Sequence, residues 1–353
     1  MNFNESHVEL VNSITDHFKV IENIGDGTYG SVQKCKDERT NEIVALKKIK
    51  IINQNDGFPQ NTIREVKLLK QLRHDNIVLL KSVVHSKSDQ SIYLVFEYCY
   101  YDLDALIHMQ DIPEATIKTI MRQLITVLCY LAVKNVVHRD LKPANMFITK
   151  NNILKLGDFG LARELTNKGR YSDSVITLWY RPPELFLGCH EYGPEVDIWS
   201  AACILYEMIA KQPLFAAREN ISQIHEIFKI CGTPDDDDWP EWKQYDSNKA
   251  MLFTSAAKLP NRLKEHLKKH LPPEQHDIID LLLKMLRMNP KKRISAETAM
   301  NHPYFKKAGF EVDPRTLPEL TLPEMHQLKI KEAKEQKRHH QSPQKPHFEP
   351  LQY

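Results

Sequence analysis

Two short stretches gather side chains that could do chemistry together. "VVHRDLKPAN" offers His138, Arg139, Asp140, Lys142 and Asn145, and "LKLGDFGLAR" offers Asp158, eighteen residues beyond Asp140. On loops, such a set can place one carboxylate near an incoming hydroxyl while an amide and a second carboxylate hold hard Mg2+ ions through oxygen. The spacing is highly specific, far more so than any one of the residues.

A third stretch, "IGDGTYGSV", has Gly25, Gly27 and Gly30 in G-x-G-x-x-G spacing, which dinucleotide-binding folds also use. A dinucleotide-binding run would open a helix. Here "SVQKCKD" continues with strand character, so the glycines are expected in a hairpin turn whose backbone can lie over phosphates. A plain hairpin turn would read the same way. Seventeen residues after Gly30, the strand "IVALKKI" puts Lys47 and Lys48 on opposite faces. Lys47 shares its face with Ala45 and Ile43, and a small residue beside a lysine suits a flat ring packed on the sheet, with the ammonium reaching phosphate oxygens. Two solvated lysines are the commoner fate of such a pair.

These groups must be positioned by ordered elements. "FPQNTIREVKLLKQL", residues 58–72, reads as a helix in which Ile63, Val66, Leu69 and Leu72 recur every third residue. Arg64 and Glu65 are neighbours in it, project about 100° apart and cannot pair with each other. Either Thr62 and Glu65 form a capping box and Arg64 faces water, or each charge has a partner elsewhere. From Phe18 to about Phe96 the remaining pattern is strand-like. From about Pro113 it becomes helical in "PEATIKTIMRQLITVLCYL", "VDIWSAACILYEMIA" and "HDIIDLLLKMLRM", with a short strand pair at 146–149 and 153–156. A small β-rich unit holding one helix therefore precedes a larger, mainly helical one.

The totals fit this division. With 353 residues the chain exceeds what one core usually serves. Lys+Arg 48 against Asp+Glu 46 demands neither nucleic acid nor membrane. The six cysteines are scattered singly, which indicates neither a zinc site nor a disulfide framework and points to a reducing compartment. The amino terminus lacks a basic and an apolar targeting region, so a soluble intracellular protein is expected. Beyond Phe305, "LKIKEAKEQKRHHQSPQKP" carries six Lys/Arg against two Glu and is expected to be a largely disordered basic tail. Its Ser342-Pro343 could itself be a modification site.

Taken together, the glycine run, Lys47, Glu65, "HRDLKPAN", "DFG" and the later "RPPE" make the chain resemble the protein kinases over residues 18–305. The resemblance implies an α+β, bilobal fold: a β-rich N-lobe (18–99) with one key helix, a mainly helical C-lobe (100–305), an amino-terminal extension (1–17) and the tail (306–353). It implies ATP and Mg2+ as cofactors, with Asp140 accepting the substrate proton, Lys142 steadying the moving phosphate, and Asn145 and Asp158 as metal ligands. Glu65 would pair with Lys47 on the nucleotide phosphates. The ATP site would be completed by Ile24, Gly25, Asp26, Gly27, Thr28, Tyr29, Gly30, Val32, Ala45, Phe96 as gatekeeper, Glu97, Cys99 and, near ribose, Asp102.

"FPQNTIRE" further resembles the signature helix of cyclin-dependent kinases, which implies a cyclin partner at residues 58–72. "RYSDSVITLWYRPPEL" and "LGCHEYG" look most like the transcription-associated branch, whose members phosphorylate the repeated carboxy-terminal domain of RNA polymerase II, so action in the nucleus is expected. "VITLWYR" resembles a segment leaving a pocket for proline after the target residue, and Lys142 matches serine/threonine kinases. By its place nine residues before Arg181, Ser172 matches the activating phosphate site, with Arg64, Arg139 and Arg163 as its natural donors. Ser172 stands where threonine is usual, Gln60 and Asn61 depart from the signature helix, and Ala202 stands where glycine is usual. Thr28 and Tyr29 match positions of inhibitory phosphorylation in some relatives. A cyclin-independent proline-directed kinase and a pseudokinase scaffold are the alternatives, although the loop lacks the T-x-Y pair of mitogen-activated kinases.

Overall fold

The computed structural model describes residues 8–27, 30–49, 60–166, 169–245, 258–306 and 313–320. Its amino-terminal part is a six-stranded sheet of β1 (Val8–Val11), β2 (Phe18–Gly27), β3 (Gly30–Asp37), β4 (Ile43–Ile49), β5 (Leu80–Ser86) and β6 (Ser91–Glu97), in the order β1-β5-β6-β4-β3-β2. Alternation along β4 gives the sheet two uses. Val44 and Leu46 point into a small outer core with Phe18, Cys35, Val84, Tyr93 and Val95, leaving Ala45 and Lys47 on the opposite face. Lys48 returns to the outer side, where its ammonium meets Asp89 at 2.8 Å.

The structure adds detail on both sides of residues 18–305. In the segment before Phe18, β1 pairs parallel with β5 (Val8 opposite Val83, Val11 opposite Ser86) and Val11 closes the outer core. A short apolar strand satisfies its backbone best on an open sheet edge. In the segment after Phe305, Tyr101 donates to the Leu320 carbonyl at 2.9 Å, and buried Asn152 donates to the carbonyls of Pro314 and Pro318. Ser342-Pro343 lies outside the described residues.

Helix α1 (Gln60–Gln71) lies between β4 and β5 in the chain and sets Leu68 and Leu69 into the main core. Ile63, expected on that same face, is 46% exposed. Thr62 lies within the helix, not at its start, so no capping box with Glu65 is made. After β7 (Tyr101–Asp102) and α2 (Leu103–Met109), the long α3 (Glu114–Val133) crosses the carboxy-terminal part. It is long and apolar enough to span a membrane, yet two thirds of it is buried in the protein, as a core helix should be.

Then come β8 (Val136–Val137), β9 (Met146–Ile148), β10 (Leu154–Leu156), β11 (Arg163–Glu164), α4 (Pro183–Phe186), α5 (Glu195–Ala210), α6 (Asn220–Cys231), α7 (Leu263–His270), α8 (Ile279–Met285) and α9 (Ala296–Met300). Helix α5 is buried almost all round, including Ala202, and is the pillar against which the functional loops are fixed. One continuous apolar core runs from Ile49, Leu69 and Phe96 in the first part to Trp199 and Leu282 in the second.

Candidate active site

The strand lysine and the helix glutamate meet. The Lys47 ammonium lies 2.9 Å from both carboxylate oxygens of Glu65 and 3.7 Å from Asp158. Burial pulls the Lys47 ammonium down, but the carboxylates of Glu65 and Asp158 outweigh it and raise its pKa, so it stays charged. The partner of Glu65 is thus on β4, and α1 is the element whose placement makes or breaks the pair.

The chain carrying "HRD" follows β8 and is held from below by a residue the sequence reading missed. Asp197, in the first turn of α5 and 3% exposed, accepts the backbone N–H groups of His138 at 2.8 Å and Arg139 at 3.0 Å. Arg139 takes the left-handed conformation, φ 65°, which such a clamp can sustain. The signal was present in "EVDIWS": a carboxylate on an otherwise apolar, fully buried helix needs donors. His138 bonds the Gly157 carbonyl at 2.9 Å and stacks edge-on against Phe159, tying the loop of Asp140 to that of Asp158.

Around Asp140 three donors converge. Thr177 donates to one carboxylate oxygen at 2.9 Å, and Lys142 and Asn145 donate to the other at 2.7 and 3.0 Å. Thr177 was not foreseen, since nothing in its local sequence marks it. The second Asn145 donor bond goes to the Asp140 carbonyl at 2.9 Å, which leaves the amide oxygen as the atom that could meet a metal. Asp158, also left-handed at φ 56°, is the neighbouring hard donor. Burial opposes its charge, but Lys47, His138 and Lys142 hold its carboxyl below the usual range, ready for a cation. Among the described residues no group of three or more His, Cys, Asp or Glu could hold a metal. Asp158 and Asn145 suit Mg2+, which takes one or two protein oxygens and completes its shell from phosphates and water.

The roof of the cleft is the β2–β3 hairpin. Gly25 lies opposite Val32, which is itself opposite Lys47, and Gly27 closes the hairpin against Gly30. At Gly30, φ is +152° and a Cβ would collide with the Lys48 carbonyl, so glycine there serves the strand packing directly. Ile24 is buried and Val32 half-buried beside the run. Asp26 is placed in β2, while Thr28 and Tyr29 lie outside the described residues.

At the inner end Phe96 stands opposite Ala45. Glu97 ends β6, with its carboxylate bonded to the Leu79 amide and the Lys155 ammonium. Cys99 is buried, which pushes its thiol up to about 12 and leaves it a packing residue rather than a nucleophile. Asp102 is largely committed to the fold: it is buried and caps α2, one carboxylate oxygen accepting the Ala105 amide at 2.7 Å.

Arg64, Arg139 and Arg163 also converge. Burial lowers the pKa of Arg64 and Arg163, and the neighbouring guanidinium charges lower both further, so the three share one field. The Arg163 Nη1 is buried without a hydrogen-bond partner. Arg139 donates to Leu161 O at 2.8 Å and to the Tyr192 hydroxyl at 3.0 Å, and that hydroxyl donates to the Ser172 carbonyl at 2.6 Å. Ser172 is exposed on the same loop.

The segment ends in another unforeseen pair, Glu184 with Arg293, bidentate at 2.8 and 3.0 Å with both side chains fully buried.

Residues 18–305 match the protein kinase domain. The chain is 39% identical to cyclin-dependent kinase C-1 of Arabidopsis thaliana over 369 residues, covering 96% of this chain and 71% of that protein. It is 41% identical to cyclin-dependent kinase C-2 of Oryza sativa subsp. japonica over 340 residues, covering 90% of this chain. The chain spans 64% of the length of that rice protein. Among solved structures it is similar to a chain of the yeast RNA Pol II CTD kinase CTDK-1 complex, with a TM-score of 0.78 and 34% identity over 85% of this chain and 96% of that one. By fold, site and sequence, the chain belongs to the protein kinase family, within its cyclin-dependent kinases.

Proposed function

We propose that this chain transfers the γ-phosphoryl group of ATP to a serine or threonine hydroxyl that precedes proline, under the control of a cyclin. The observation that carries the reading is the Asp140 carboxylate, oriented by Thr177, Lys142 and Asn145 in a chain that also has a formed Lys47–Glu65 pair. Asp140 orients the attacking hydroxyl and takes its proton as the new O–P bond forms and the bond to the ADP oxygen breaks. Lys142 neutralises charge on the phosphoryl oxygens, and Lys47, fixed by Glu65, holds the remaining phosphates. Asn145 and Asp158 would hold Mg2+, which would supply charge neutralisation at the phosphates. Ile24, Gly25, Val32, Ala45 and Phe96 enclose the adenine, with the backbone at Glu97 and Cys99 as its hydrogen-bonding edge.

The preference for proline has a backbone origin. Ile176 is left-handed, φ 68°, and its carbonyl accepts from the Arg181 Nε and Nη2 at 3.2 and 3.0 Å. That carbonyl is therefore engaged and offers nothing to the N–H of the residue after the target; proline has no N–H to leave unsatisfied. The cyclin's seat in this reading is α1, where Ile63 is exposed although the neighbouring turn is in the core. A partner seated there would set the angle of α1 and hence the Lys47–Glu65 contact. The likeness to a CTD kinase chain supports the repeated carboxy-terminal domain of RNA polymerase II as substrate and the nucleus as the place of action.

The test is transfer from Mg·ATP to matched Ser-Pro and Ser-Ala peptides, with and without a cyclin. Asp140→Asn should lower turnover by about 10²–10⁴-fold while thermal stabilisation by Mg·ATP persists. Near-normal turnover in that variant would overturn the mechanism. Equal rates on both peptides, or full activity from the chain alone, would remove proline direction or the cyclin and keep the kinase.

A further inference from the structure

Five exposed lysines of the carboxy-terminal half are neutralised where they stand. Lys229 meets Glu226, Lys243 meets Asp236, Lys284 meets Asp280, Lys291 meets Glu241 and Lys292 meets Asp238, all within 2.8 Å. Helix α7 differs. Leu263 and Leu267 anchor it, while Arg262, Lys264, Lys268 and Lys269 are exposed and form no ion pair with any described residue. Its lone acid is Glu265. Since the whole chain has a formal charge of only +2, this is a local concentration of positive field rather than a general basicity.

Its place relative to the substrate segment is fixed by α6. At the start of α6, Asn220 accepts from Arg181 at 2.9 Å, and the Ala217 carbonyl just before it accepts from the indole N–H of Trp179 at 2.9 Å. At its end, the Arg262 amide donates to the Ile230 carbonyl at 2.9 Å and the Thr233 amide to Leu259 at 3.1 Å. The start of the cationic helix therefore lies about one α6 length, about 18 Å, from the Trp179–Arg181 segment that follows Thr177, and an extended peptide crosses that distance in about six residues.

We propose that α7 is a docking surface for a phosphoserine of the peptide substrate, placed about six or more residues from the serine being modified. This rests on the kinase reading above, because that reaction makes the anion that fits. A phosphoserine brings about −1.5 to −2 charges and three acceptor oxygens, which the three lysines of this short helix and Arg262 just before it match. Helix α7 carries no Phe, Tyr or Trp on which a nucleic acid base could stack, and its length is far short of a backbone-tracking groove. The surface retains a substrate already modified once, so that a neighbouring Ser-Pro is presented to Asp140.

The full chain, with its cyclin for kinetics, is tested on Ser-Pro peptides carrying a phosphoserine eight or three residues from the target, or none. Fluorescence anisotropy reads binding and steady-state kinetics reads turnover. The peptide with the eight-residue spacing should show a KM about three- to tenfold lower than the others, with kcat unchanged and the advantage fading as salt rises. The triple variant Lys264→Glu, Lys268→Glu, Lys269→Glu should lose the advantage and keep its activity on the unmodified peptide. An advantage that survives in that variant, or is equal at three residues, overturns the proposal. So does an RNA oligonucleotide of matched charge that displaces the phosphopeptide at equal concentration. Inactivity on every peptide would sink the kinase reading, whereas phosphopeptide binding lost in the triple variant would still support this surface.

Discussion

Two groups of arginines in this chain meet opposite fates. Arg293 donates to both Glu184 oxygens, to the Glu195 carbonyl at 2.7 Å and to the Arg287 carbonyl at 3.1 and 3.2 Å, and its guanidinium lies 5.1 Å from the centre of the Trp199 ring. Arg64, Arg139 and Arg163 instead face one another, with a buried Arg163 Nη1 that finds no acceptor. A guanidinium whose donors are met inside the fold is a structural rivet. A cluster whose members repel and leave a donor unmet would be relieved by an anion, and the Tyr192 hydroxyl links Arg139 to the backbone of the exposed Ser172.

The comparison can be broken first at the rivet. Arg293→Met strands the buried Glu184 carboxylate and should lower stability by about 3–5 kcal/mol, read by chemical denaturation. A loss under 1 kcal/mol would deny the contrast.

Phosphorylation at Ser172 should act in the opposite direction on the cluster. Each charge-assisted bond it makes is worth about 1.5–3 kcal/mol, so the phosphorylated protein should melt higher and turn over faster. Ser172→Ala should weaken activity without unfolding the chain. An unchanged melting temperature on stoichiometric phosphorylation would remove the cluster from this role.

Glu207 is an intermediate case. It is buried, but it accepts from the Tyr180 hydroxyl at 2.8 Å rather than from a cation, and burial pushes its carboxyl up to about 7, Asp104 adding to the effect. Because the folded-state value lies above the ordinary 4.5, the native chain binds the extra proton between about pH 4.5 and about 7, and stability falls as pH rises through that window. Glu207→Gln should flatten that part of a stability-against-pH curve, and an unaltered slope would assign it to other groups.

The smallest effect is expected from Arg163→Met in the unphosphorylated protein. Relief of like-charge repulsion should change stability by no more than about 1 kcal/mol, upward, while the gain from Ser172 phosphorylation is largely lost. A destabilisation as large as that of Arg293→Met would mean that Arg163 is structural after all.

Much of the site was legible because it is local. Asp140, Lys142 and Asn145 lie within six residues, and Lys47 was separated from Lys48 by strand alternation alone. Other features were read less well. Ile63 fits the same three-residue spacing as Leu69 and Leu72, and spacing does not tell which edge of an apolar stripe the rest of the protein will cover. Thr62 and Glu65 have the spacing of a capping box, yet the helix begins earlier and the glutamate is taken by Lys47. Asp197, Thr177 and the pair Glu184–Arg293 depend on contacts 37 to 109 residues apart in sequence, which no local pattern encodes. The strand at Val8–Val11 was missed for the same reason, since its partner is β5.

The sequence by itself determined the chemical groups, their order and the elements that carry them, because side-chain periodicity and loop motifs act over a few residues. Only the tertiary structure decided which charges are neutralised and which are left poised. That choice depends on burial and on donors brought from distant parts of the chain, and both come into being only when the core closes.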